Sequence, residues 1–469
     1  MANQQPVKDV VVLLPGILGS VLEREGKEVW ALSTGALFRG LLTLGRSVTS
    51  LELSGDDTGG DLGDGIQATR LMPDAHLIPG FWKIDGYGKI KRRMFDLFDF
   101  AEGLNWFDFP YDWRRDNRVS AARLAELAPR WLSEFRRQSG QPDAKLILVG
   151  HSMGGLVARH YLEILDGWKN ARALITFGTP YRGSLNALKF LANGLEKGLG
   201  PLRLDLTRML RSFTSVYELL PIYSCVDDGT GVPVKIGAAA GLPDEIDHSR
   251  VVAAQSFHEE IAEAVDRNGG YGRYHILPVA GIFQPTLQSA DVRGGAVTMK
   301  SELAGDDDGG DGTVPRVSAT PIELSDAMRE VYATESHSAL QNVDAVLVQL
   351  AGLLTWKPLG PYRGSPLDGL RLEVDDVLSP LEPVDVRIAT AAPILNVGVL
   401  LENVDTGDRF ERRCEVTEGE ANLTLSPVPA GLYRISARDL DGTGVKPVHD
   451  LVLVADDAIA EQVLEAEPD

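Results

Sequence analysis

The chain has very little cysteine and no long hydrophobic run. Its 469 residues include only two cysteines, Cys225 and Cys414, so no disulfide framework is indicated and a reducing compartment fits. Residues 1–16 contain no basic segment, and Pro15 and Gly16 end the only early apolar run. We therefore expect neither a signal peptide nor a transmembrane helix. The default expectation is a cytoplasmic location, with a peripheral association with membranes left open.

Basic residues are scarce relative to acidic residues. The chain has 46 lysines and arginines against 67 aspartates and glutamates, which gives a formal net charge of −21. Charge of this sign argues against nucleic acid as a partner and against electrostatic docking on an anionic membrane. Any membrane contact would therefore have to be apolar and local. The hydrophobic content of 44% is ordinary for a globular protein, and the length allows two or three domains.

The most informative stretch is residues 146–155, which read LILVGHSMGG. Four apolar residues predict a buried strand, and an amphipathic helical pattern follows the Gly-x-Ser-x-Gly motif. Strand, sharp turn and helix together indicate a nucleophile elbow that presents the Ser152 hydroxyl above the sheet edge. Gly150 and Gly154 suit this turn because side chains there would collide, and the Met153 N–H is left available to stabilise an oxyanion. A chance occurrence of the motif is the alternative, which both flanking patterns disfavour.

A serine nucleophile needs a base and an orienting acid, which follow it in α/β-hydrolases in the order acid, then histidine. Among the eight histidines, this order and the local context favour His337, which precedes a predicted helix over residues 338–354. The acid is expected in the acidic loop of residues 306–315, where Asp311 has a glycine on each side. An EF-hand beginning at residue 306 would need glutamate where Val317 stands, although another calcium geometry stays open. We predict no metal and no other cofactor.

The second oxyanion donor is expected in the loop after the first strand. Residues 10–14 are uniformly apolar and largely β-branched, which predicts a strand buried on both faces. The run ends in residues 15–19, Pro-Gly-Ile-Leu-Gly, and the backbone N–H of Ile17 is the candidate donor. Such a donor contributes about 3 kcal/mol of transition-state stabilisation.

The chain as a whole predicts an α/β-hydrolase fold with cap and lid insertions, followed by an all-β immunoglobulin-like sandwich. The hydrolase domain is assigned to residues 1–357, with a glycine-rich lid or loop at 30–70 and an apolar cap at about 185–270. A proline and glycine cluster over residues 358–369 indicates a linker. Seven short strand-like runs separated by turn signals predict the sandwich in residues 370–469.

Six motifs carry a family resemblance when they are taken in order. They are PGILGSVLE, FPYDWR, GHSMGG, FGTPYRGS, GDGTVP and ESHS. In this order the chain resembles the lecithin:cholesterol acyltransferase family over about residues 8–356; the family includes lysosomal phospholipases and phospholipid:diacylglycerol acyltransferases. The resemblance implies the groups that the motifs already indicate: a triad of Ser152, Asp311 and His337, and an oxyanion hole formed by the N–H groups of Ile17 and Met153.

The resemblance implies a serine lipase or acyltransferase. Such an enzyme would cleave or transfer an acyl chain of an ester lipid, with phospholipid as the expected substrate, through an acyl-enzyme on Ser152. Two other functions stay open: a cytoplasmic esterase or amidase acting on a non-lipid substrate, and a gated effector whose sandwich domain binds a protein partner. The acyl acceptor, the head-group preference and the oligomeric state do not follow from the sequence.

The chain differs from the family in three ways. It lacks the N-terminal cysteines that close the lid in animal members, no signal peptide is expected whereas secreted members have one, and Ile17 stands where lysosomal members have aspartate. The sandwich lies outside the resemblance. Within the FPYDWR motif, Asp112 and Arg114 flank Trp113, and we interpret them as a structural ion pair rather than as substrate contacts.

Overall fold

The computed structural model describes most of the chain. The described residues are 4–30, 51–73, 76–78, 82–84, 86–197, 204–269, 273–324, 331–342, 350, 354, 369–390, 394–417, 419–443, 445 and 447–454. The strands before residue 340 are β1 (Val10–Leu14), β2 (Ser20–Arg24), β3 (Lys27–Trp30), β4 (Ile66–Leu71), β5 (His76–Ile78), β6 (Trp82–Ile84), β7 (Trp106–Asp108), β8 (Leu146–His151), β9 (Ala171–Phe177), β10 (Glu196–Lys197), β11 (Leu204–Asp205), β12 (Val226–Asp227), β13 (His275–Gly281), β14 (Ser289–Arg293), β15 (Ala296–Lys300) and β16 (Val331–Ala333).

A six-stranded parallel sheet organises this part of the molecule. Its strands lie in the order β16-β13-β9-β8-β1-β7, and every neighbouring pair is parallel. Every residue of β1 and β8 is buried, as uninterrupted apolar runs predict for strands covered on both faces. All six strands end at the same edge, so the loops that follow them converge there. The predicted α/β-hydrolase fold is confirmed.

Helices cover this sheet and form much of the segment between β9 and β13. They are α1 (Gly88–Leu97), α2 (Asn117–Ser139), α3 (Met153–Glu163), α4 (Leu185–Asn193), α5 (Thr207–Ser212), α6 (Thr214–Glu218) and α7 (His248–Arg267). The Asp116 side chain caps α2 by accepting a hydrogen bond from the Arg118 N–H, and the left-handed Gly140 ends the helix. Short 3₁₀ turns lie at Gly167–Lys169, Ile236–Ala238, Arg316–Ser318, Ile322–Leu324 and Leu340–Asn342.

The predicted insertions have different outcomes. In the predicted lid, β4 pairs antiparallel with β2 and Leu51 is fully buried, whereas residues 31–50 lie outside the described residues. In the predicted cap, Leu188 and Phe213 belong to the main hydrophobic core, so much of its apolar surface is packed inside the protein. Of the predicted helix at 338–354, residues 340–342 form a 3₁₀ turn and 343–349 are outside the described residues.

The C-terminal part is all-β, as predicted. Its strands are β17 (Leu370–Val374), β18 (Val377–Leu378), β19 (Val384–Thr390), β20 (Ile394–Asn403), β21 (Arg409–Thr417), β22 (Glu420–Leu425), β23 (Gly431–Asp439) and β24 (Val448–Val454). They form a nearly closed sandwich or barrel in the order β17-β19-β22-β21-β20-β23-β24-β18, antiparallel except for the β18–β24 pair. All seven predicted strands are present, together with the short β18. Residues 355–368 are not described, so the domain boundary and linker stay predictions.

The two parts of the molecule are in direct contact. The sandwich has its own core, but Leu432, Leu451 and Leu453 belong instead to the core of the hydrolase part. In the portion of the chain that the structure covers, no helix has both the length and the apolar character needed to cross a membrane.

Two buried histidines couple folding to protonation. His258 in α7 places Nε2 2.8 Å from the carbonyl oxygen of Glu218, and the His160 ring stacks on Phe257 with ring centroids 5.6 Å apart. Burial, together with the nearby Arg118 guanidinium, lowers the pKa of each histidine to about 4. In the unfolded chain a histidine has a pKa of about 6.5. The unfolded state therefore binds more protons between pH values of about 6.5 and 4, so acidification destabilises the folded state.

We predict that the free energy of unfolding falls as pH decreases from 7 to 5, and that His258→Gln makes this dependence shallower by about one proton. Urea denaturation at a series of pH values measures the slope for both proteins. Identical slopes would show that the side chain of His258 carries no protonation difference between the folded and unfolded states.

Candidate active site

Ser152 lies in the sharp turn between β8 and α3, with φ of 51° and ψ of −126°. This backbone conformation is rare for a residue with a side chain and is the strained geometry of a nucleophile elbow. The turn leaves no room beside it. A Cβ atom on Gly150 would lie 2.8 Å from the Cα of Gly155, and one on Gly154 would collide with the Pro15 carbonyl oxygen. The glycines of the motif are therefore required sterically, as the sequence predicts.

The structure brings together the three side chains predicted as a triad. His337 Nε2 lies 3.0 Å from Ser152 Oγ, and His337 Nδ1 lies 2.7 Å from Asp311 Oδ2. Exposed fractions are 0% for Ser152, 1% for Asp311 and 4% for His337. With the Nδ1 proton directed at the carboxylate, Nε2 presents a lone pair to the serine hydroxyl. This is the arrangement of a nucleophile, its general base and an orienting acid.

Backbone groups hold the carboxylate of Asp311 in place. Its second oxygen, Oδ1, accepts hydrogen bonds from the N–H groups of Thr313 and Val314 at 2.9 and 2.7 Å. The His337 N–H donates to the Asp311 carbonyl oxygen at 2.7 Å. The acid and the base are therefore joined through both main chain and side chain, which fixes the direction of the carboxylate.

Gly178 explains part of the FGTPYRGS motif. This residue follows β9 and has φ of 54°. A Cβ atom on it would lie 2.6 Å from Asp311 Oδ2 and 2.8 Å from His337 Nδ1. Any side chain at this position would therefore press on the acid–base pair itself.

The predicted oxyanion loop, residues 15–19, lies against the nucleophile. A Cβ atom on Gly16 would lie 2.9 Å from the Cβ of Ser152. Ile17 and Met153 are both fully buried. Within the described ranges, neither backbone N–H donates a turn, loop or side-chain hydrogen bond. Both groups therefore remain available as donors beside Ser152, and their catalytic role stays a prediction.

Aromatic side chains hold the main chain of this loop. Tyr111 Oη donates to the Pro15 carbonyl oxygen at 2.8 Å, and Trp113 Nε1 donates to the Ser20 carbonyl oxygen at 3.0 Å. Trp30 Nε1 donates to the carbonyl oxygen of Leu18, whose φ of 63° is unusual for leucine. The FPYDWR motif thus supports the oxyanion loop from behind.

Arg114 has no exposure to solvent and pairs with carboxylates. Its guanidinium bonds both oxygens of Asp112, at 2.9 and 2.6 Å, and lies 2.9 Å from Asp64 Oδ2. It also donates to the carbonyl oxygen of Leu51. These contacts agree with a structural ion pair, which anchors the described end of the predicted lid on the FPYDWR motif.

The C-terminal sandwich contacts the loop that carries His337. Ser336 Oγ donates to the carbonyl oxygen of His449 at 2.8 Å, and the His449 N–H donates to Glu335 Oε2 at 3.1 Å. A cavity of about 440 Å³ lies between the two parts and reaches Asp311 and His337. The sequence contains no signal for this contact, because His449 lies far along the chain in a region outside the recognised motifs.

The acidic loop before Asp311 is held by hydrogen bonds within the protein. Asp307 Oδ1 accepts from Gln288 Nε2 at 2.7 Å and from the Gly309 N–H at 2.9 Å. Over the described residues, no group of three or more histidine, cysteine, aspartate or glutamate side chains is arranged to hold a metal ion.

Comparison with known proteins finds similarity to lipid acyltransferases over part of the chain. A family model described as lecithin:cholesterol acyltransferase matches residues 98–250. Lecithin-cholesterol acyltransferase-like 4 of Arabidopsis thaliana is 27% identical over 253 residues, 46% of this chain and 44% of that protein. The lysosomal phospholipase A and acyltransferase of Homo sapiens is 32% identical over 121 residues, 24% of this chain and 27% of that protein. The chain thus matches less than half the length of each of these two relatives.

Two solved structures are similar to about three quarters of this chain at low sequence identity. The Tle4-Tli4 complex contains a chain with 17% identity and a TM-score of 0.49, covering 77% of this chain and 100% of that one. The mature lipase BlEst2 of Bacillus licheniformis has 14% identity and a TM-score of 0.35, covering 76% of this chain and 95% of that one. Taken with the ordered motifs, the sequence matches confirm the predicted resemblance of this chain to the lecithin:cholesterol acyltransferase family.

Proposed function

We propose that this chain is a serine hydrolase that cleaves or transfers an acyl chain of an ester lipid through an acyl-enzyme on Ser152. The observation that carries this proposal is the hydrogen-bonded array of Ser152, His337 and Asp311 at a strained elbow. The match to the lecithin:cholesterol acyltransferase family supports a lipid as the source of the acyl chain.

Each group in the array has a defined part in the proposed reaction. Ser152 Oγ attacks the ester carbonyl carbon while its proton passes to His337 Nε2, and Asp311 stabilises the imidazolium that forms. The N–H groups of Ile17 and Met153 stabilise the oxyanion. When the intermediate collapses, the departing alcohol takes the proton from His337 and leaves the acyl chain on serine. Water or a lipid alcohol, deprotonated by the same imidazole, then releases the chain as fatty acid or new ester.

Phospholipid is the substrate that we propose first. A human relative named as a lysosomal phospholipase A and acyltransferase supports this choice. The net charge of −21 favours an apolar contact with the lipid surface over an electrostatic one. A cytoplasmic location stays a prediction.

A non-lipid ester is the alternative substrate within the same chemistry. Ser152 is fully buried, so any substrate reaches it only after part of the structure moves. An interface-activated lipase should therefore turn over phosphatidylcholine vesicles faster than short acyl esters in solution. A plain esterase should show the reverse order.

A second candidate function is that of a gated effector. The sandwich bonds Glu335 and Ser336, the two residues before His337, so a partner that displaced the sandwich would also displace the base. Binding of a protein partner through this domain remains a prediction.

For the nucleophile, we predict that Ser152→Ala lowers turnover by about a millionfold, because no other group supplies the attacking oxygen. The measurement is release of free fatty acid, or formation of new ester when an alcohol is added, from phosphatidylcholine vesicles. Ser256→Ala, on the surface of α7, is the matched control and should retain full activity. Near-normal turnover by folded Ser152→Ala would refute the acyl-enzyme.

For the acid–base pair, we predict that Gly178→Ala lowers kcat at least tenfold, because the added Cβ separates Asp311 from His337. Gly140→Ala is the control: its φ of 68° is also left-handed, but its Cβ would meet no neighbour. Both proteins should lose thermal stability from backbone strain, and Gly178→Ala should lose more because its Cβ also meets buried atoms. Equal activities of the two variants would contradict the proposed steric role.

For the sandwich contact, we predict that the double variant Glu335→Ala, Ser336→Ala lowers kcat several-fold, because both side-chain hydrogen bonds to His449 are lost and the loop of His337 loses its support. The KM for vesicles should change little, because neither substitution alters the side chains of Ser152, Asp311 or His337. An increase in kcat would instead indicate that the sandwich restrains the enzyme, as a gated effector requires.

A further inference from the structure

A second buried hydrogen-bonded array lies beside the triad. The Gly16 N–H donates to Tyr87 Oη at 2.8 Å, and Tyr87 Oη lies 2.9 Å from His151 Nδ1. His151 Nε2 in turn lies 3.1 Å from the carbonyl oxygen of His337. Tyr87 is 2% exposed and His151 is 0% exposed, so neither side chain has water as an alternative partner. We call these four groups the Tyr87–His151 network.

In the Tyr87–His151 network, the donor and the acceptor of each hydrogen bond can be assigned in only one way. A carbonyl oxygen only accepts, so His151 Nε2 carries the ring proton and donates a hydrogen bond to the carbonyl oxygen of His337. An N–H group only donates, so Tyr87 Oη accepts from Gly16 and directs its own hydrogen at His151 Nδ1. Burial lowers the pKa of His151 to about 3 and raises that of Tyr87, so both side chains stay neutral at neutral pH. Each donor and acceptor in the Tyr87–His151 network therefore has one partner.

Both ends of the Tyr87–His151 network belong to the candidate active site. Gly16 precedes Ile17, whose N–H is the proposed oxyanion donor, and the far end is the main chain of His337, the proposed base. The His151 ring also packs against the His337 ring with centroids 5.1 Å apart. A displacement of either loop would therefore stretch a hydrogen bond of the Tyr87–His151 network.

We propose that Tyr87 and His151 are positioning residues that couple the oxyanion loop to the loop of the catalytic histidine. This inference rests on the proposed function and adds two side chains that hold the reacting groups without exchanging a proton or forming a bond with the substrate. Through them, the N–H of Ile17 and the Nε2 of His337 keep a fixed separation on either side of Ser152. The transition state needs both groups at once, so the coupling acts on catalysis more than on substrate binding.

The coupling can be tested by removing one oxygen atom. We expect Tyr87→Phe to lower kcat about tenfold or more while KM stays within about twofold, because a transition-state interaction is weakened and ground-state binding is not. The affinity for an alkyl boronic acid, which mimics the tetrahedral intermediate on Ser152, should fall by a similar factor. A change confined to the melting temperature would assign Tyr87 a purely structural role and overturn the proposal.

Tyr161→Phe is the matched control. Tyr161 is equally buried, at 1% exposure, and its hydroxyl has no hydrogen-bond partner among the described residues. Removing that hydroxyl should leave kcat and boronic acid affinity unchanged. Equal losses in both variants would show that deleting any buried tyrosine hydroxyl near the elbow impairs the enzyme, and would contradict the specific coupling.

Two substitutions of His151 distinguish the contributions of the two ends of the Tyr87–His151 network. Asparagine keeps an acceptor near the position of Nδ1, and glutamine keeps a donor near the position of Nε2, so each preserves one link and breaks the other. If the Tyr87–His151 network acts as a unit, combining Tyr87→Phe with His151→Gln should lower kcat no more than the worse single change does. Multiplying losses would mean that the two residues act independently, which would refute the coupling. If Tyr87→Phe fails to fold, the single variants His151→Asn and His151→Gln replace it, and each should lower kcat with little change in KM; unchanged kcat in both would overturn the coupling.

Labelling of the serine keeps this inference distinct from the proposed function. A lipid-like fluorophosphonate should label wild-type protein at Ser152, and absence of labelling would count against the serine hydrolase itself. If the wild type is labelled and active while folded Tyr87→Phe matches Tyr161→Phe in every readout, the hydrolase stands and only the coupling fails.

Discussion

The hydrogen bond between Ser152 and His337 is the interaction on which the site depends, and it joins residues 185 positions apart. The parallel sheet makes it geometrically accessible. Ser152 directly follows β8 and His337 follows β16, so both lie in loops at the carboxyl edge. Asp311 returns to that edge from a long excursion after β13 and is held there by the bond from the Gln284 N–H to the Gly310 carbonyl oxygen. Loss of the sheet order would separate all three.

Close approach of main chains is the second constraint on the site. Gly178 passes beside the Asp311–His337 pair, and a Cβ atom on Gly281 would lie 2.9 Å from the Cα of Asp311. Gly16 lies against Ser152 in the same way. Gly16 and Gly178 come from two of the six motifs and Gly281 ends β13, yet all three serve one purpose, which is to let main chains meet at distances that side chains would prevent.

The sequence predicts the triad residues because local patterns carry them. Ser152 follows a strand pattern in a recognisable turn, while Asp311 and His337 are selected by chain order and local context, and the structure brings their side chains together. Tyr87 and His151 could not be predicted in this way, because their link spans 64 residues and has no periodic or motif signal. Sequence reasoning favours His337 over His151 as the base but assigns His151 no contact. The described end of the predicted lid is misjudged for a similar reason: its glycines obscure β4, which forms through pairing with the distant β2.

Buried charge limits how the site can open. Ser152 is fully buried, so access for substrate requires movement. Residues 51–64 are an unfavourable place for it, because Arg114 pairs there with Asp64 and Arg115 pairs with Asp56. Separating Arg115 from Asp56 would leave a largely buried guanidinium without its carboxylate, which costs several kcal/mol, and Arg114 would lose one of its two carboxylates. Movement that keeps these ion pairs intact therefore leaves residues 51–64 fixed against the FPYDWR motif, which holds the oxyanion loop. The donors beside Ser152 can then keep their positions while another part of the structure admits the substrate.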